Sequence, residues 1–212
     1  MRRSGRRADA RFPLTTGAAG APIAGPVGSS AGLSQDLGRG DEPPLAVDIS
    51  HAGVRTSLDA IACGTRPVIA SHANARAVCD HPRNLSDEVI KAVAASGGVI
   101  GLCAFPSLVS ADPAPTLEQL IDHAVHIAGV FGAEHVGLGL DFADEGDEEY
   151  DFYGYDERYY PRPPWKWPRG IEWLHQSAYI SPALQARGFS PEEVAGVMGM
   201  NFLRVLATIW GS

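Results

Sequence analysis

The sequence predicts an α/β fold built from parallel βα units, and three observations predict it. Short, continuously apolar runs recur and end in polar residues. Amphipathic helical segments alternate with those runs, and Gly, Ser or Thr marks the joins. Strands that are apolar along their whole length belong to parallel sheets covered by helices. Four such units are present, against the eight, in typically about 250 residues, that close a barrel. Residues 45–212 therefore fit half a barrel or a small open α/β sheet.

The elements follow in order. "LAVDIS" (45–50) reads as the first strand and "VRTSLDAIAC" (54–63) as a helix with Val54, Leu58, Ile61 and Ala62 apolar. "PVIAS" (67–71) is the second strand. "LSDEVIKAVAAS" (85–96) is a helix with Ser86 as N-cap, Val89, Ile90 and Val93 facing inward, and a glycine pair after its end. "GVIGLCAF" (98–105) is the third strand. "TLEQLIDHAVHIAGVFG" (116–132) is a helix opened by Thr116 and closed by Gly132, and "HVGLGL" (135–140) is the fourth strand. Two short helices, "SPEEVAGVMG" and "NFLRVLATIW", end the chain with Ser190 and Asn201 as expected caps.

Residues 1–44 are rich in Gly, Ala, Pro, Ser and Arg and show neither strand nor helix periodicity, so they read as a disordered leader. Residues 1–40 hold six arginines and two acids, a net of +4. Set against −8 for the whole chain, this leaves −12 for the remainder. That balance argues against nucleic acid or an anionic membrane as partner. No apolar run is long enough to span a membrane, and the start lacks the apolar core of a secretory signal. Cys63, Cys79 and Cys103 form no CxxC pair and read as small buried hydrophobes of a reducing, cytoplasmic compartment.

Ligands of parallel α/β folds sit at the carboxyl ends of the strands. His51 and His72 mark the ends of the first two strands, Arg83 follows the second, and Asp141 the fourth. Side-by-side imidazoles can share a metal ion. Arg83 can grip a carboxylate with two parallel hydrogen bonds, and Asp141 beside a metal can relay a proton. Each residue alone also has a structural reading, as a hydrogen-bonded histidine, a surface arginine or a loop cap. The residues by themselves reach a candidate metal site in an α/β protein.

"VDISH", "PVIASHANARAVCDHPRNLSDEVIKAVAASGGVIGL", "HVGLGLDF" and "GFSPEEVAGVMGMNFLRVL" resemble the membrane (renal) dipeptidase family of zinc dipeptidases, over about residues 45–206. The resemblance implies a TIM-like barrel with a two-zinc site, where a hydroxide held by the metals hydrolyses dipeptides. It implies that His51 and His72 are zinc ligands and that Arg83 binds the substrate's terminal carboxylate. Asp141 would take the proton of the attacking water and return it to the leaving amine. The family's His-x-Asp pair for the first zinc has no counterpart, since no histidine precedes His51, and a third family histidine that polarises the substrate carbonyl is also missing. The family's glutamate that bridges both metals is also expected upstream, but Glu42, the one upstream glutamate, lies in "GDEPP", which does not read as a strand. The expectation is a zinc dipeptidase represented by its C-terminal half, truncated and with impaired or no activity alone. The alternative is a non-catalytic remnant or assembly module, with a homo-oligomer or a complementing chain covering its sheet edges.

Of the other histidines, His123 and His126 stand at i, i+3 on a helix, where a helix-surface or subunit-contact role is expected over metal binding, and His81, His135 and His175 have no partner in the pattern. "DEGDEEYD" (144–151) reads as a solvated loop, lacking the alternating ligands of a calcium site. The aromatic stretch at 150–173 reads as a rigid flap over the site or an oligomer contact.

Overall fold

The computed structural model describes residues 45–143 and 146–211, so the disorder expected of residues 1–44 lies outside the described residues. The four apolar runs become β1 (Val47–Asp48), β2 (Val68–Ala70), β3 (Val99–Leu102) and β4 (Val136–Leu138). They form one parallel sheet in the order β1-β2-β3-β4. Val47 pairs with Val68, Ile69 with Val99 and Ile100 with Val136. Among the described residues, β1 and β4 are its terminal strands.

Helices α1 (Val54–Cys63), α2 (Asp87–Ala95), α3 (Pro106–Val109) and α4 (Leu117–Phe131) lie in the crossovers. Ser86 caps α2 by accepting from the Val89 amide. Thr116 and Gln119 close a capping box on α4, each side chain accepting from the other's amide at 3.3 and 2.9 Å. The side chains of β2 alternate as a pleated strand requires. Val68 and Ala70 join the main core with Ile90, Val93, Leu120 and Ile121. Ile69 turns the other way and packs on Val99, Val205 and Ile209. All these side chains except Ile69 are almost fully buried, so each contributes about 1.5–3 kcal/mol where it is as large as Val or Ile.

The second half departs from expectation in three places. Residues 147–151, expected as loop, begin helix α5 (Asp147–Tyr153). Three acidic residues in its first turn face the positive helix end, and Glu149 Oε2 accepts from the Gly146 amide at 3.0 Å. A further helix, α6 (Ile180–Ala186), buries Ile180 and Leu184. Finally, α7 (Pro191–Ala195), capped by Ser190 as expected, runs through a π turn into α8 (Asn201–Trp210). Asn201 is therefore not a cap. Its amide donates to the carbonyls of Ala133 and Val136 at 2.9 and 2.8 Å, tying α8 to the start of β4. Among the described residues, no helix is long and apolar enough to cross a membrane.

Candidate functional site

All four residues singled out in the sequence line one cavity of about 230 Å³ beyond the strand ends. The Nε2 atoms of His51 and His72 lie 2.8 Å apart, and Asp141 Oδ2 lies 3.9 Å from His72 Nε2. His51 (φ 66°) and Asp141 (φ 58°) are the two non-glycine residues with left-handed backbone among the described residues. Such strain gathers where a fold must aim a side chain.

The approach of β2 to β4 follows from two glycines. A Cβ at Gly139 would stand 1.7 Å from the Ser71 carbonyl oxygen, and one at Gly101 would stand 2.1 Å from it. Only glycine at both places lets the end of β2 lie over β3 and β4, which brings His72 beside Asp141.

A hydroxyl and carboxylate network that the sequence reading missed orients the imidazoles. Asp48 Oδ1 accepts from the amides of Ser50 and Ser71 at 2.9 and 3.0 Å. Ser50 Oγ contacts Ser71 Oγ at 3.1 Å and accepts from the His72 amide, also at 3.1 Å. Ser71 Oγ lies 2.8 Å from His72 Nδ1, which leaves Nε2 pointing at the cavity. Burial works against the Asp48 carboxylate, but hydrogen bonds from Ser71 and Ser50 outweigh it and lower its pKa. Partial burial, then the charges of Arg83 and His72, push His51 down to about 4, against an opposing pull from Asp48. Its imidazole is therefore neutral near pH 7, with a lone pair available to a cation.

Arg83 is carried on the loop after β2. Asn74 ties that loop down: its amide nitrogen donates to Cys103 O (2.8 Å) and Leu108 O (3.2 Å), and its oxygen accepts from Cys103 N (3.0 Å). Asn84 donates to Cys79 O and Leu108 O. Both asparagines belong to the quoted run "SHANARAVCDHPRN", and their burial is what gives that spacing its meaning. Arg83 Nη1 donates to the Tyr160 hydroxyl at 2.7 Å. Its Nε and Nη2 are buried without a hydrogen-bond partner among the described residues. Two parallel unpaired donors of a guanidinium match a carboxylate.

The remaining histidines divide. His123 is wholly buried and not on the helix surface as expected. Its Nδ1 accepts from the Ala75 amide and its Nε2 donates to Val109 O, which requires the neutral ring. His126 pairs with Asp87 at 2.9 Å. His81, without a partner in the pattern, contacts the Tyr159 carbonyl through Nε2 and accepts from the Arg83 amide through Nδ1. His135 donates to Gly98 O at 2.8 Å. The aromatic stretch does reach the site: Tyr155, Tyr160 and Trp165 line the cavity with Phe105. Cys103, its pKa pushed up to about 12 by burial, remains a thiol 3.9 Å from Asp141 Oδ2.

The two Nε2 atoms converge at hydrogen-bonding distance, shorter than the roughly 3.3 Å that separates two nitrogens on one tetrahedral zinc. Among the described residues, no group of three or more His, Cys, Asp or Glu is arranged to hold a metal.

The sequence model of the membrane dipeptidase family (peptidase family M19) matches residues 44–153. Dipeptidase tcpJ of Claviceps purpurea is 31% identical over 166 residues, which are 78% of this chain and 35% of that protein. Dipeptidase ataJ of Aspergillus terreus is 33% identical over 165 residues, 77% of this chain and 36% of that one. An amidohydrolase from Pseudomonas aeruginosa superposes with a TM-score of 0.73 at 27% identity, over 86% of this chain and 56% of its own. The dipeptidase AC, a metallopeptidase of family M19, shares the fold with a TM-score of 0.64 at 24% identity, over 78% and 44%. The chain spans about a third of the length of the curated relatives it matches.

Proposed function

Because the chain belongs to the membrane dipeptidase family, a family of metallopeptidases, we propose that its cavity binds dipeptides and takes part in hydrolysing their peptide bond with zinc. The observation that carries this reading is the Arg83 guanidinium, which lines the cavity together with His51, His72 and Asp141 and keeps two buried nitrogens without a hydrogen-bond partner among the described residues. Arg83 anchors the terminal carboxylate, which fixes how far the scissile bond lies from the imidazoles. His51 and His72 are the residues that would hold the metal. When bound, zinc supplies the Lewis acidity that activates water and polarises the carbonyl. Asp141 accepts a proton on Oδ2 from the attacking water and passes it to the departing amine.

In this reading the four strands are half of a TIM-like barrel formed by residues 45–212. Turnover by this chain alone is expected to be weak, because among the described residues no carboxylate is arranged to bridge two metals beside the imidazoles. A second reading, a non-catalytic assembly module, draws on the terminal strands β1 and β4 and on α8, which exposes Leu203 and Trp210. Assay of zinc-supplemented chain with a dipeptide and with its carboxyl-terminal amide separates the readings. Slow, chelator-sensitive cleavage of the dipeptide but not the amide, lost in Arg83→Met, is the expected result. Equal cleavage of both would refute the role of Arg83. Zinc-dependent binding with no cleavage would favour the assembly module.

A further inference from the structure

Resting on that dipeptide reading, we infer that the site selects dipeptides whose carboxyl-terminal residue carries a bulky apolar side chain, aromatic above all. The cavity has two unlike ends. At one, His51, His72 and Asp141 cluster within 3.9 Å of one another in sequence of contact. At the other, Arg83 is pinned by the Tyr160 hydroxyl. Arg83 and Tyr160 line the same cavity in contact with each other, so a carboxylate drawn to the guanidinium there sits beside the Tyr160 ring, and the side chain on the same residue meets what surrounds that ring.

What surrounds it is a continuous aromatic wall. Tyr160 packs on Tyr155 and Phe105 with ring centroids 5.1 and 5.5 Å apart, and Phe105 packs edge-on against Trp165 at 4.8 Å. All four rings line the cavity. Edge-to-face neighbours of this kind readily accept another ring. The wall is also held in place before any ligand arrives. The Tyr159 carbonyl accepts from Ser107 Oγ at 2.7 Å, and the Tyr160 carbonyl accepts from the Tyr150 hydroxyl at 2.5 Å. A pre-formed apolar wall costs a ligand little ordering entropy.

Two further facts narrow the ligand. A cavity of about 230 Å³ lies below the range of about 300–1,000 Å³ that drug-sized ligands occupy, so it suits a dipeptide better than a longer peptide. Three of the four rings, Tyr155, Tyr160 and Trp165, also lie beyond residue 153, where the family match ends.

The test is calorimetric titration of the full 212-residue chain with four carboxylates: N-acetyl-glycine, N-acetyl-alanine, N-acetyl-leucine and N-acetyl-phenylalanine. The dissociation constant is expected to fall along that series, by about tenfold or more from glycine to phenylalanine. Trp165→Ala should flatten the series. Trp165→Phe, which keeps a ring, should preserve the order and so guards against a flap that has merely unravelled. Tyr160→Phe should weaken all four alike, because it frees the guanidinium but keeps the wall. Equal affinity for the four acids would overturn the preference and leave the carboxylate role of Arg83 standing. No binding of any acid would overturn both.

Discussion

The loop at residues 71–86 and the aromatic segment at 155–173 both face the cavity, and they are held there by different physics. In the loop, Asn74, His81 and Asn84 are nearly inaccessible; Asn74 and His81 bond main-chain groups through both their polar atoms, and Asn84 through its Nδ2. Those bonds are directional, so the loop has one shape and presents Arg83 in one pose. The aromatic segment relies on ring contacts, with exposed ion pairs at its surface: Arg162 meets Asp151 at 2.7 Å and Glu157 at 2.8 Å. Ring contacts fill space without fixing register. A group that must meet a ligand's charge is placed by buried hydrogen bonds, whereas a surface that must fit a ligand's shape can be built from rings.

Breaking the loop should therefore cost most. Asn74→Ala removes three hydrogen bonds and strands both main-chain groups of Cys103, so urea denaturation should show a loss of about 4 kcal/mol. A loss below about 1 kcal/mol would mean that the loop does not depend on its pins. Gly139→Ala tests the floor beneath both regions. Its Cβ would collide with the Ser71 carbonyl, and a destabilisation of about 1–3 kcal/mol should accompany a weaker grip on zinc. Unchanged zinc affinity would separate the close approach of the strands from the site.

The pH dependence sharpens the same contrast. Burial lowers the pKa of both His81 and His123, so the folded state favours the neutral rings. The stability they contribute is complete above the unfolded value of about 6.5 and is lost as pH falls below it. As pH falls from 7 to 5, denaturation should show stability falling. His123→Gln should remove part of that fall, and an unchanged fall would assign it to other groups. The smallest effect is expected on the aromatic segment. Arg162→Ala breaks fully exposed ion pairs and should barely move the melting temperature, least of all at high salt. A large shift would show that the segment depends on its charges after all.

Legibility in the sequence follows the same division. Period and caps announced β1 to β4, α1, α2 and α4, because apolar runs, Ser86 and Thr116 act locally. His51, His72, Arg83 and Asp141 were legible as strand-end residues and through the family resemblance, and they do share one cavity. Asn201 was misread because a capping residue and a buried tether look alike in sequence, and only contact with Ala133 and Val136 tells them apart. His123 was misread for a similar reason: its partners Ala75 and Val109 are main-chain groups that no side-chain pattern encodes. Helix α5 was hidden by its charge, since a run of acids reads as solvated until its position at a helix start is known. The support given by Asp48, Ser50 and Ser71 was in plain view, yet it gains meaning only once β1 and β2 lie side by side.

The central claim is that His51 and His72 hold a metal within reach of Arg83 and Asp141. Its most direct test is calorimetric titration of metal-free full-length chain with zinc, repeated on His72→Ala. The account predicts one loosely held ion per chain, and none in the variant. Two tightly held ions, or an affinity that His72→Ala leaves unchanged, would contradict it.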